Sequence, residues 1–208
     1  MRTFKIFVLG LTASLAACQS STNSGHKRDS IASIESGPGK IVNEQFLIVP
    51  GTSVGQISIG EDMQQVSKKM GNADGGDAAM GKAWGIWYGK ALKGDKKDEF
   101  AIYSSYRDSN MVVKDVKQIR VTSALYKTQD GFGTGRTLND LALKFPAMEK
   151  VSTYLDQNQD TIFIYDSKPD GIGFEIVNKK SVALTVHPKR KSVNETYLTL
   201  HPEWKLIK

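Results

Sequence analysis

The chain carries one cysteine and three histidines among 208 residues. A lone cysteine excludes an internal disulfide, and so thin a Cys/His set excludes a structural zinc cluster. Long apolar runs are also missing. Hydrophobic residues make up 39% of the chain and charged residues 24%, near the usual balance of globular proteins. That balance excludes a polytopic membrane protein, collagen, a coiled coil and wholesale disorder. The length suffices for one large domain or two small ones with a real core.

What is present begins with a processing segment. Arg2 and Lys5 form a positive region, and Ile6 to Ala13 an apolar stretch broken only by Gly10 and Thr12. That stretch is too short to span a bilayer. Small residues then lead to the cysteine, in Leu15-Ala16-Ala17-Cys18. The whole arrangement resembles the lipobox of bacterial lipoproteins. The resemblance implies a signal peptide over residues 1–17, cleavage after Ala17, a diacylglyceryl group on Cys18 and further N-acylation. More than one acyl chain gives stable anchoring. Gln19 follows the cysteine. In a Gram-negative cell this resembles the class sorted to the inner leaflet of the outer membrane, facing the periplasm. In a Gram-positive cell it implies the outer face of the plasma membrane.

Residues 18–43 hold the lipidated cysteine and a stretch rich in Ser, Thr, Asn and Gly without apolar periodicity. This reads as a flexible tether with an end-to-end distance of roughly 25 to 30 Å.

The remainder reads as two related units, residues 44–125 and 126–208. A shift along the chain lays Ile57-Ser58-Ile59-Gly60-Glu61-Asp62-Met63 on Phe132-Gly133-Thr134-Gly135-Arg136-Thr137-Leu138, Val66 on Leu141, and Met70 on Phe145. In both segments the apolar residues recur at helical spacing. Asp62 with Gln65, and Thr137 with Asp140, stand as helix caps, and Gly71 and Pro146 as stops. The spacing predicts helices near 62–70 and 137–145, with Met63, Val66, Met70, Leu138, Leu141 and Phe145 buried.

Aromatic and β-branched runs separated by turn residues follow each helix: Ala83–Tyr88, Phe100–Tyr106 and Val116–Val121, then Val151–Leu155, Thr161–Tyr165, Gly171–Val177 and Ser181–Val186. Gln45–Val49 reads as a leading strand and Tyr197–Leu200 as a closing one. Short strands with short turns form antiparallel meanders. The expected fold is therefore α+β: two tandem repeats, each a short helix packed on a three- to four-stranded antiparallel sheet. The entry Gly55-Gln56-Ile57-Ser58-Ile59-Gly60, with Val66, Met70 and Gly71 behind it, is similar to small outer-membrane lipoproteins of the SmpA/OmlA type. Tandem copies resemble the β-lactamase-inhibitory-protein architecture. The resemblance implies a fold and names no partner.

Four motifs invite a chemical reading. Gly51-Thr52-Ser53-Val54-Gly55 matches the serine nucleophile elbow, but no helix follows at once and the strands form a meander. Gly131-Phe132-Gly133-Thr134-Gly135 lacks the spacing and the lysine of a phosphate loop. Asp156-Gln157-Asn158-Gln159-Asp160 opens like a calcium loop, yet Thr161 stands where glycine is required and Ser167 where the last carboxylate belongs. His187 and His201 each precede proline near a strand end and make a poor metal pair, while His26 lies in the tether. No catalytic set, cofactor or metal is implied.

Charge and aromatics point to binding instead. Without Arg2 and Lys5 the chain has 26 basic and 22 acidic residues, a net +4. The stretch Lys179–Lys208 alone carries +5, with Lys189, Arg190 and Lys191 at its centre. On a tethered protein each such residue near an anionic surface contributes about 1 kcal/mol. Trp84, Trp87, Tyr88, Tyr103 and Tyr106 gather on two strands of the first unit. Strand alternation separates Trp84, Ile86 and Tyr88 from Trp87. A helix covers one face only, so Trp87 is the leading candidate anchor on the other, with Trp84, Tyr103 and Tyr106 beside it.

These residues suggest a membrane-anchored, non-catalytic envelope module. It would bind another envelope protein or anionic envelope component, and not nucleic acid. The alternatives are a small periplasmic hydrolase using Ser53 or a histidine, and an inhibitor of a periplasmic enzyme.

Overall fold

A computed structural model describes residues 43–89, 97–193 and 199–207. The signal segment, Cys18 and almost all of the tether lie outside the described residues.

The chain enters through a 3-10 turn, Glu44–Phe46, capped by the Asn43 side chain. Three short strands follow: β1 (Leu47–Val49), β2 (Ser53–Val54) and β3 (Ile57–Ser58). Then come α1 (Met63–Met70), β4 (Gly75–Ala79), β5 (Lys82–Tyr88), β6 (Glu99–Tyr106), β7 (Lys114–Val121) and β8 (Lys127–Thr128). The second half holds α2 (Leu138–Lys144), β9 (Glu149–Leu155), β10 (Thr161–Ser167), β11 (Ile172–Val177), β12 (Lys180–Val186) and β13 (Lys205–Leu206).

Both helices form where the caps place them. The Asp62 side chain accepts from the Gln64 backbone N–H, and Gly71 closes α1 at φ 75°. Thr137 and Asp140 make a reciprocal capping box on α2. Val66, Leu141 and Phe145 are buried, while Met63, Met70 and Leu138 pack on the same core half-covered.

The tandem-repeat architecture is not what these elements build. The chain is mainly β, with only two short helices among the described residues. Its strands form a four-stranded sheet, β3-β2-β1-β8, and a nine-stranded sheet, β13-β9-β10-β11-β12-β7-β6-β5-β4. The two meanders do not form separate sheets. Their last strands pair, Leu184 with Val121, Thr185 with Arg120 and Val186 with Ile119, which makes one continuous sheet.

One core serves both halves. Ile48, Val54 and Ile57 from the small sheet, Val66 and Leu141 from the helices, and Ile102, Ile119, Phe174 and Leu184 from the large sheet belong to a single buried cluster. Burial drives the merger, because each short helix covers too little apolar surface to close a sheet alone. The expected leading strand is shorter than its sequence suggested, since Glu44–Phe46 is a 3-10 turn. Of the expected closing strand, Thr199 and Leu200 are irregular and 197–198 fall outside the described residues; Lys205–Leu206 closes that edge.

Strand alternation gives the large sheet two distinct faces. Ile102, Ile119, Phe174 and Leu184 point to the core shared with the helices. Trp84, Ala101, Tyr103, Gln118, Arg120, Glu175 and Thr185 point the other way, paired in register across the strands. Residues 199–206 lie across this second face. Leu200 packs on Trp84, Ala101 and Tyr103, and Leu206 pairs with Tyr154 on β9.

Candidate functional site

Arg120 sits at the centre of that second face, almost wholly buried, at the join between the two meanders. Its Nε and Nη2 donate to the two carboxylate oxygens of Glu175 at 2.6 and 2.7 Å. Its Nη1 donates to Glu99 at 2.7 Å. The guanidinium therefore reaches over β12 to β11 on one side and to β6 on the other. Burial opposes its charge, but attraction and hydrogen bonding to Glu175, then Glu99, more than offset this, and its pKa is raised. One cation faces two carboxylates, so the cluster carries a net negative charge.

A cavity of about 300 Å³ opens beside the cluster, between the sheet and residues 199–206. Trp84, Tyr154, Ile164, Leu200, Trp204 and Leu206 supply its apolar walls; Gln118, Arg120, Glu175, Thr185 and His201 supply its polar ones. The Trp204 ring lies 5.9 Å from Tyr154 and stacks on His201 at 4.0 Å. Arg120, Glu175, His201 and Trp204 also line a second hollow of about 750 Å³, at the end of the sheet. There Asp98, Asp156, Asp160 and Glu203 outnumber Lys97. The cavity thus has an acidic approach, and clefts of one charge sign concentrate ligands of the other.

His201 completes the site. Its Nδ1 lies 3.2 Å from Glu203 Oε1, and its Nε2 is buried without a hydrogen-bond partner. Burial, then the nearby Arg120 charge, lowers its pKa below the ordinary histidine value.

The aromatic candidates separate. Trp84 and Tyr103 stand opposite each other on β5 and β6, ring centroids 5.2 Å apart. Both are buried on the second face, and Trp84 lines the cavity. Trp87 is on the other side: it packs half-buried on the helix-bearing core, so it does not occupy the uncovered face expected of it. Tyr106 ends β6 beside α1, with Lys114 over its ring.

Lys189, Arg190 and Lys191 form an exposed turn after β12, and the Arg190 backbone N–H donates to the Lys168 carbonyl at 2.7 Å. The result is a basic corner of four side chains, Lys168 included, none of which makes an ion pair among the described residues. None of the four lines the cavity, and the Lys189 side chain lies beside Gly51.

Ser53 is a paired residue of β2, facing Val49 and Ser58, and the hydrogen bonds of the described histidines, His187 and His201, go to Asp166, Pro188 and Glu203. His187 is fully buried, with Nε2 2.9 Å from Asp166 and Nδ1 3.1 Å from the Pro188 carbonyl. Both ring nitrogens are thus engaged, and the adjacent Ser167 hydroxyl donates to Asp170 instead. Asp156 spends its carboxylate on the β9–β10 turn, accepting from the backbone N–H groups of Asn158 and Asp160 at 2.8 Å. Among the described residues no group of three or more His, Cys, Asp or Glu side chains could hold a metal ion.

Sequence reasoning missed the Glu99–Arg120–Glu175 cluster. Its one local signal was a charge standing among buried apolar neighbours, as with Arg120 between Ile119 and Val121 and Glu175 between Phe174 and Ile176. Comparison with protein-family models, with curated proteins and with solved structures finds no match to this chain.

Proposed function

We propose that this protein is a lipid-anchored cell-envelope lipoprotein, a non-catalytic module that binds another envelope component in the cavity beneath residues 199–206. Cys18 is the anchor and residues 18–43 are the tether. The observation that carries the binding role is the buried Arg120–Glu175 ion pair on the wall of that cavity. Burying ions is costly, and here the pair lines a hollow with aromatic walls. The hydrolase alternative has no support in the geometry around Ser53 or His187. The basic corner at Lys168, Lys189, Arg190 and Lys191 suits apposition to an anionic membrane surface, at about 1 kcal/mol per residue.

Two measurements test this reading. Palmitate labelling is present in the wild type and lost in Cys18→Ser; unchanged labelling overturns the anchor. A photo-crosslinking amino acid at Leu206, on the cavity wall, captures an envelope component in cells. The same residue at Leu143, exposed on α2, does not. Capture from Leu143 and none from Leu206 overturns the site.

A further inference from the structure

We propose that the loops at one end of the large sheet enter the interface of an anionic lipid bilayer, with Met80, Met111 and Val112 as the inserted side chains. The lipid-anchored reading supplies the membrane; the surface comes from the strand register, the backbone and the charge.

The register brings the loops together. Ala79 pairs with Lys82 around the β4–β5 turn, Lys82 lies opposite Ser105, and Tyr106 opposite Lys114. Met80–Gly81 and residues 107–113 therefore leave the sheet at the same end. Ile172 pairs with Val186, and Val186 with Ile119, so the turns 168–171 and 188–191 leave at that end too. β7 runs on to Lys114 beyond its last pair with β12, so the two methionine loops stand further out along the strands than the basic corner. Tyr106 joins these loops. Its ring lies so close to Gly81 that an added Cβ would come within 2.8 Å, and Lys114 Nζ sits 5.2 Å from its centre.

Apolar side chains stand here where the backbone favours polar ones. Met80 and Gly81 have φ 48° and 79°, the two-residue hairpin geometry that prefers Asn-Gly or Asp-Gly. At the opposite end of the sheet Asn178 and Lys179 turn with φ 49° and 64°, and there the first position is Asn. Met111 is left-handed as well, at φ 56°. Such backbone strains a methionine, and neither side chain gains packing in return. Met80 is 81% exposed, Met111 66% and Val112 79%. The second loop is nonetheless held in shape, with the Arg107 backbone N–H donating to the Val113 carbonyl at 2.8 Å. Strain kept at ordered, exposed turns points to a use for the side chains.

Charge selects the partner. Residues 79–82, 106–115, 168–171 and 188–191 together hold seven Lys or Arg and three Asp. Basic residues draw such a surface to anionic lipid, and exposed apolar side chains add insertion. A tyrosine flanked by lysine suits the level of the headgroups. The attachment of the tether permits this orientation. Phe46 packs on Tyr126, which packs on Phe100 at the start of β6, so the proposed tether joins the fold at the far end of that strand. The eight residues of β6 span about 26 Å. A reach of roughly 25 to 30 Å for the tether matches that length and lets the loops meet the membrane that holds Cys18.

The test is vesicle flotation of the mature chain with Cys18→Ser, made without the signal segment and so without lipid. It is expected to bind vesicles of phosphatidylglycerol and phosphatidylcholine in equal parts about 10-fold more tightly than phosphatidylcholine alone. Adding Met80→Asn and Met111→Asn suits both left-handed positions, so the melting temperature holds or rises while binding to the anionic vesicles falls about 10-fold. Undiminished binding by that variant overturns insertion. Failure of the parent to bind the anionic vesicles, or equal binding to both kinds, overturns the lipid assignment, and this comparison needs no variant to fold. In cells, a photo-crosslinking amino acid at Met80 is expected to give lipid adducts; a protein adduct in their place overturns the bilayer as partner. Palmitate labelling decides the anchor separately. Labelling intact with no vesicle binding strikes the loops alone, and labelling absent with vesicle binding intact strikes the anchor alone.

Discussion

The His187 imidazole meets the Asp166 carboxylate at 2.9 Å, and neither side chain reaches solvent. Asp166 spends its other oxygen on the Val193 backbone N–H at 3.0 Å. This pair ties the end of β10 to the chain just after β12 and fixes where the C-terminal segment departs toward the second face.

Removing the acid leaves a buried imidazole and a buried N–H without partners. Asp166→Ala should therefore destabilise the fold by about 3 kcal/mol. His187→Phe, which keeps the ring but strands the carboxylate, should cost a similar amount. Chemical denaturation of both variants checks this, and a change below about 0.5 kcal/mol in either would show that the pair is dispensable.

Close backbone contact makes a second point. Gly171 has φ 74°, and a Cβ there would lie 2.5 Å from the His187 carbonyl and 2.6 Å from the Gly51 Cα. Gly60 has φ 82° and open space around it. Gly60→Ala should cost about 1 kcal/mol from backbone conformation alone. Gly171→Ala adds a clash with rigid backbone and should cost at least about 2 kcal/mol more. Equal melting temperatures for the two variants would contradict the packing.

Acid stability follows from Asp115, a buried carboxylate bonded to Arg107 at 2.9 and 3.0 Å. Its pKa is lowered from 3.8, first by the Arg107 hydrogen bonds. The unfolded chain therefore takes up this proton before the native chain does. The stabilisation is full above about pH 3.8 and is lost progressively as pH falls through the lower native value. Asp115→Asn should flatten this acid limb in a series of denaturation curves, whereas Asp108→Asn, at an exposed turn, should leave it intact.

Much of the fold was legible locally. Strand runs, both helices and their caps follow from alternation, helical spacing and Asp62 or Thr137, because each depends on residues close in sequence. The pairing of β7 with β12 does not, since nothing within Val116–Val121 states which strand lies beside it. Without that pairing Arg120 reads as an ordinary solvent-facing charge and Glu175 as a blemish in an apolar run. Trp87 failed for a related reason. Alternation separated it from Trp84 correctly, but which of the two faces the helices occupy is a tertiary fact. His201 reads as a strand-end histidine until the C-terminal segment is seen to cross the sheet.

The join between the meanders also governs how the chain comes to be folded. β7 is complete early, yet its second neighbour is the last long strand to emerge, and the closure between them is held by three residue pairs. Until β12 arrives, β7 is an open edge carrying Ile119 and Val121, a template for another copy of the chain. Such distant pairing also slows folding, because the intervening chain must be ordered first. A truncation before β12 therefore does more than shorten the molecule: it leaves that edge permanently open, and aggregation between chains takes the place of closure.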